Sequence, residues 1–214
     1  MDKLKHKNKL NYKILKSGSS GNCVIIEDMI FDIGIAYKDL KKYLYKTKYI
    51  FITHRHTDHI NKKTLDKIRN DFPRVKIIGN FDLHQRFFMN EIVGDDTTLE
   101  FKDRTIRSFA CLHDVPCHGF TVTFKDGRSL IYATDTHSLE NAPNEKFDYL
   151  FIESNHDENK IKAIQNNSKA LFGYDAWRGA VRHLSTQQSK AFYYLHRKSK
   201  DSLWVELHKS SRFY

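Results

Sequence analysis

Apolar residues along this chain fall into short blocks, and the blocks carry two periods. Continuous or alternating runs at 12–15, 23–27, 29–33, 49–52 and 75–78 have the length and β-branched content of strands. Between them, 38–45 and 82–90 place apolar residues at helical spacing, and Asn61 is suited to cap a helix running through 68, with Leu65 and Ile68 on one face. The second half repeats the pattern with strands at 97–101, 105–112, 119–124 and 129–133. The last two are joined by Asp126-Gly127, a hairpin signal. A strand at 147–152, helices at 161–166 and 186–196, and a closing strand at 203–207 complete the chain. With no long linker and no repeat, this order predicts one domain spanning 1–214. Its class is α/β (α+β), two sheets packed face to face with helices outside.

The strand at 49–52 ends in Thr53-His54-Arg55-His56-Thr57-Asp58-His59, which concentrates three imidazoles and a carboxylate in one short run. Residues two apart in extended backbone point the same way, so His54 and His56 can grip one cation. Asp58 and His59 follow once the chain turns, within reach of a second. Imidazole and carboxylate together suit zinc, iron or manganese without choosing among them. A dinuclear site needs further donors at strand ends. The chain offers His113 after the strand 105–112, Asp135 after 129–133, and His183 ahead of the helix at 186–196. His118 competes with His113 for one position, because Pro116 between them breaks the strand.

Bulk properties narrow the setting. Hydrophobic residues make up 40% and aromatics 13%, a packed globule's composition. No apolar run is long enough to span a bilayer, and the lysine-rich start lacks the apolar core of a signal peptide, so a cytoplasmic protein with no membrane partner is expected. Cys23, Cys111 and Cys117 are too few for a disulfide framework and read as buried thiols. A net charge of +10 favours polyanionic partners, nucleic acid first, although lysine pairs such as Lys41-Lys42 also suit solvated helix faces.

Taken in order, these motifs resemble the metallo-β-lactamase superfamily over nearly the whole chain. The resemblance implies a four-layer αββα sandwich holding two divalent cations, zinc or manganese. His54, His56 and His113 would bind one, Asp58, His59 and His183 the other, and Asp135 both. Within the superfamily, Ser17-Gly18-Ser19-Ser20-Gly21-Asn22, Glu153-Ser154-Asn155-His156-Asp157 and His183-Leu184-Ser185 resemble segments of the YycJ-type nucleases. The end, Leu207-His208-Lys209-Ser210-Ser211-Arg212-Phe213-Tyr214, is similar to a late stretch of RNase Z. Two departures from RNase Z stand out: His156 follows Glu153 where that family places its histidine earlier, and its long Gly/Pro-rich arm is missing. Arg55 is larger than the residue usual in either group.

The reading is therefore a metal-dependent phosphodiesterase, a nuclease hydrolysing DNA or RNA by a metal-bound hydroxide. Asp58 would orient the nucleophile and His156 protonate the leaving oxygen. Ser19, Ser20, Asn22 and Asn155 are candidates to hold phosphate, since a Gly-rich loop lets N–H groups converge, although a plain hairpin turn needs the same residues. The alternatives are a phosphodiesterase for small cyclic nucleotides and a binding module whose metals only staple the fold. Homodimers occur in the superfamily, but no segment here marks an interface.

Overall fold

A computed structural model describes residues 9–173 and 175–214; the stretch 1–8, read above as lacking a signal peptide, lies outside the described residues. The first half forms strands β1 (Tyr12–Lys16), β2 (Cys23–Ile26), β3 (Met29–Phe31), β4 (Tyr49–Phe51), β5 (Lys76–Gly79) and β6 (Glu91–Ile92), with helices α1 (Tyr37–Leu44), α2 (Lys62–Asp71) and α3 (Phe81–Phe87). The second half forms β7 (Thr98–Glu100), β8 (Arg104–Cys111), β9 (Cys117–Phe124), β10 (Ser129–Ala133) and β11 (Tyr149–Glu153). Helices α4 (Glu158–Ile164), α5 (Ser168–Phe172), α6 (Ala176–Ala180) and α7 (Thr186–His196) follow, and β12 (Leu203–Leu207) closes the chain.

Each half builds one six-stranded sheet, ordered β1-β2-β3-β4-β5-β6 and β12-β11-β10-β9-β8-β7. Several of these strands, β3, β4, β10 and β11 among them, are buried on both faces, which is why they read as unbroken apolar runs. In β4, Phe51 faces the opposite sheet while Ile50 faces the helices; in β10, Leu130 and Tyr132 face inward while Ile131 and Ala133 face outward; β11 splits its residues the same way. The alternation produces three apolar layers. One lies between the sheets, from Phe31, Phe51 and Ile78 to Phe120, Tyr132 and Phe151. A second lies under α1, α2 and α3, with Leu40, Leu65, Ile68 and Leu83. The third joins the far sheet to Leu184 and Phe192 at α7. The molecule is thus the expected αββα sandwich.

Asn61 caps α2 by accepting from the Thr64 N–H, as its sequence position implied, and Ser185 forms a full capping box with Gln188 on α7. Three elements were not foreseen: β6 is only a residue pair, and α5 and α6 are too short to show a period. In the other direction, the strand expected to run to Ile33 stops at Phe31, because Asp32 adopts a left-handed backbone with φ 61°. Among the described residues, no helix is long and apolar enough to cross a membrane. All three cysteines are free and buried.

Strand direction positions the site. β4, β10, β11 and β12 lie in parallel pairs and end on one edge of the sandwich, where side chains just past each strand converge.

Candidate metal centre

His54 and His56 follow β4 directly, and a tight turn, with the His59 and Ile60 N–H groups donating to the His56 carbonyl, folds the rest of the run back. His54 Nε2 lies 3.1 Å from His56 Nδ1, and His56 Nδ1 lies 3.3 Å from His113 Nε2. Nitrogens about 2.0–2.1 Å from a tetrahedral zinc sit about 3.3 Å apart, so both of these pairs already stand near the separation one cation imposes. Thr53 Oγ1, 3.0 Å from His54 Nδ1, fixes the ring from behind.

A second group gathers Asp58, His59 and His208. His59 Nε2 is 3.6 Å from Asp58 Oδ2 and 2.6 Å from Asp135 Oδ2, and His208 Nε2 is 3.5 Å from Asp135 Oδ1. Asp135 also falls within ligand spacing of His54 and His59, so its carboxylate stands between the two groups. His208 Nε2 is buried without a hydrogen-bond partner. A buried polar atom left in that state is costly, and a bound cation would satisfy it. These donors fit a divalent metal.

Behind the donors is a layer of buried carboxylates. Asp32 Oδ2 accepts from His59 Nδ1 at 2.8 Å, the arrangement that orients a metal-binding imidazole. Glu153, fully buried at the end of β11, serves two histidines at once. Its Oε1 is 2.7 Å from His183 Nδ1 and 3.1 Å from His208 Nδ1, while Oε2 accepts the N–H groups of Thr136 and Leu184. Asp32, Asp135 and His208 all take positive φ, at 61°, 54° and 52°. Such backbone is costly for non-glycine residues and concentrates at functional sites; here it turns each side chain from its strand end into the cleft.

Charge divides the two groups. Burial holds the His54 imidazole well below its ordinary value, and it lowers His113 as well. Burial would lower His59 too, but Asp32 and Asp135 override it and push the ring up to about 10. His208 is likewise raised against burial, by Asp135, Asp58 and Glu153. His54 and His113 are therefore poised as neutral lone pairs, and His59 and His208 as imidazolium–carboxylate pairs.

The structure brings His54, His56, Asp58, His59, His113 and Asp135 together. His118 lies elsewhere, paired with Asp95 and close to Asn80. His208, not His183, stands with Asp58 and His59; His183 lies against Glu153 and lines a pocket of about 380 Å³ together with Ser19, Asn155, Arg182, His208 and Arg212. His156 is buried, its backbone bridged to Ser185. Asn22 is buried, with its amide nitrogen 2.8 Å from His59 Nε2 and its oxygen accepting from the Gly18 N–H, so it braces the loop against the donors. Asn155 donates to the His208 carbonyl at 2.9 Å, and Ser19 and Ser20 are exposed at the loop tip. Arg55 turns away to Asp82, at 2.9 Å. Sequence reasoning missed three residues: His208, Glu153 and Asp32. His208 obeys the rule that found His113 and Asp135, a polar residue just past a strand.

Comparison with known proteins places this geometry. The beta-lactamase superfamily domain matches residues 36–196. Human tRNase Z, short form, superposes with a TM-score of 0.69 at 18% identity, covering 94% of this chain and 93% of that one. The metallo-beta-lactamase fold protein YhfI from Bacillus subtilis gives 0.68 at 16% identity, over 94% and 86%. A diphosphatase of the PhnP family gives 0.64 at 16% identity, over 96% and 89%. No curated protein matches the sequence. With a domain match over most of its length and the αββα layers, this chain belongs to the metallo-β-lactamase superfamily.

Proposed function

We propose that the protein is a metal-dependent phosphodiesterase acting on nucleic acid, with one cation held by His54, His56 and His113, a second by Asp58, His59 and His208, and Asp135 shared. The carrying observation is the pocket beside the donors, where Arg182, Lys209 and Arg212 join His183 and His208. Guanidinium groups suit phosphate oxygens, and two structural relatives are named as a tRNase and a diphosphatase. The segments at 17–22 and 153–157 support a kinship with YycJ-type nucleases within the superfamily.

A pair of divalent cations supplies Lewis acidity to the phosphate and acidifies nearby water. Asp58, 3.3 Å from the Asn22 amide nitrogen, is positioned to accept the proton of the attacking water. His183 replaces His156 as our proton donor. Burial would lower its pKa, but Glu153 and Asp135 outweigh burial and raise it, so the ring holds its proton more tightly than a free imidazole does, with Nδ1 engaged by Glu153. His183→Ala is expected to cut turnover about 10²–10⁴-fold with both cations retained. The loss should be larger for a nucleoside leaving group than for p-nitrophenolate, which needs little protonation. Equal losses on the two substrates, or loss of metal, would exclude the acid role.

Metal uptake should depend on pH in two steps. His54 and His113 are already neutral, whereas His59 and His208 must give up protons that their raised pKa values retain. At about pH 6 one equivalent is expected per chain, the second appearing as the pH rises through neutrality and beyond. Metal analysis after desalting checks this, and simultaneous uptake of both equivalents at every pH would contradict it.

A further inference from the structure

The loop at 17–22 separates two depressions. Ser19 faces the pocket beside His183 and His208, and its neighbour Ser20 lines a groove of about 590 Å³ together with Lys16, Lys38, Lys42 and Tyr43. Lys16 Nζ donates to the Ser20 carbonyl at 2.8 Å on the groove side of the loop. Around the groove the ammonium groups crowd onto two tyrosines. Lys13 and Lys42 lie 5.6 and 5.2 Å from the Tyr43 ring, and Lys41 and Lys67 lie 5.8 and 5.6 Å from the Tyr37 ring. All six lysines are exposed, and none forms an ion pair among the described residues. Among the described residues, Asp39 is the one acidic residue lining the groove. The lysines outnumber the acidic groups beside them, Asp39 in the groove and Asp71 at the Tyr37 hydroxyl, and a polyanion relieves the remaining repulsion by releasing its own counterions.

We propose that this groove is the track for a nucleic-acid strand whose scissile phosphate lies at the metal centre and whose neighbouring phosphates cross Ser19 and Ser20 onto Lys13, Lys16, Lys38 and Lys42. The inference rests on the phosphodiesterase reading and sharpens it. A cyclic mononucleotide has a single phosphate and no use for a lysine track beyond the loop, so the track favours a polymer as substrate. The half-buried Tyr43 ring adds a face on which a base can stack, a contact available to any sequence. Charge complementarity and continuity with the pocket favour this occupant over an acidic protein or a lipid surface.

The test combines Lys13→Gln, Lys38→Gln and Lys42→Gln, exposed positions outside the metal centre and its pocket. Hydrolysis of a fluorescent 20-mer oligonucleotide is compared with that of bis(p-nitrophenyl) phosphate, both with the metal-loaded full chain. On the 20-mer, kcat/KM should fall at least about tenfold, mostly through KM, and its logarithmic salt dependence should become shallower by about 2. The small diester should be cleaved at the unaltered rate. An unchanged kcat/KM on the 20-mer, or equal losses on both substrates, would overturn the track. So would oligonucleotide binding that stays intact while binding to anionic vesicles or polyglutamate is lost. If the unaltered protein cleaves neither diester, the phosphodiesterase reading falls. Fluorescence anisotropy with the 20-mer still decides the track: about tenfold weaker binding by the variant supports it, and equal binding overturns it.

Discussion

His208→Ala is expected to lower phosphodiester hydrolysis by more than the about 10–100-fold typical of losing a residue behind the ligands, and to leave one cation per chain. The side chain is buried, and Glu153 and Asn155 lie within 3.3 Å of its Nδ1, so Nε2 is committed to the cleft. There it faces Asp135 Oδ1 at 3.5 Å and Asp58 Oδ2 at 3.9 Å and makes no hydrogen bond. Removing the ring deletes the third donor of its group and leaves His59 as the one imidazole of that group beside Asp58 and Asp135. Asp58→Ala and His59→Ala should share the phenotype, whereas His183→Ala should keep both cations. Metal content and turnover measured on the same samples decide the matter. Two tightly held cations and full activity in His208→Ala would remove the residue from the centre.

Gly34→Ala should cause the largest loss of stability. Gly34 packs against the backbone of the donor run: a Cβ at this position would overlap the Asp58 carbonyl group and approach the His59 nitrogen to 2.9 Å. Those atoms cannot swing aside as a side chain can. The two segments are also tied through Asn22, whose carbonyl accepts from the Gly34 N–H at 2.9 Å and whose N–H donates to the Asp58 carbonyl at 2.6 Å. Relief must come from moving β3 or the metal-binding turn. The cost should reach or exceed the upper end of the about 1–3 kcal/mol usual for overpacking. At about 2–4 °C per kcal/mol for a chain of this size, melting should fall by about 6–12 °C. Thermal unfolding of the metal-free protein isolates this effect from metal loss, and a melting point within about 2 °C of the parent would show that the backbone yields cheaply.

What could be read from the sequence follows the range over which each feature is encoded. The run from His54 to His59 was legible because spacing within a strand and a turn is local. His113 and Asp135 were legible because each ends a strong apolar block. His208 sits past an equally clear strand, but its partners are set by the parallel pairing of β12 with β11, which joins residues about fifty positions apart and leaves no periodic mark. Its place in the second group was therefore expected of His183. Glu153 was seen only as the start of a segment, since its role depends on Thr136, His183, Leu184 and His208 meeting from three other stretches. Asp32 was hidden inside what reads as a continuing strand. The layers themselves were predictable because alternation within β4, β10 and β11 directs side chains to two different faces.

The donors do not come from one half of the molecule. His54, His56, Asp58 and His59 hang from the edge of the first sheet, and His113, Asp135 and His208 from the edge of the second. Any ion held among them is also a clasp across the mouth of the sandwich. Its binding energy adds to the cohesion of the two halves in proportion to the logarithm of free metal concentration. Stripped of metal, the fold should keep its greasy middle and loosen along this seam first, so hydrogen exchange would register the missing ions at the ends of β4, β10 and β12 before anywhere else.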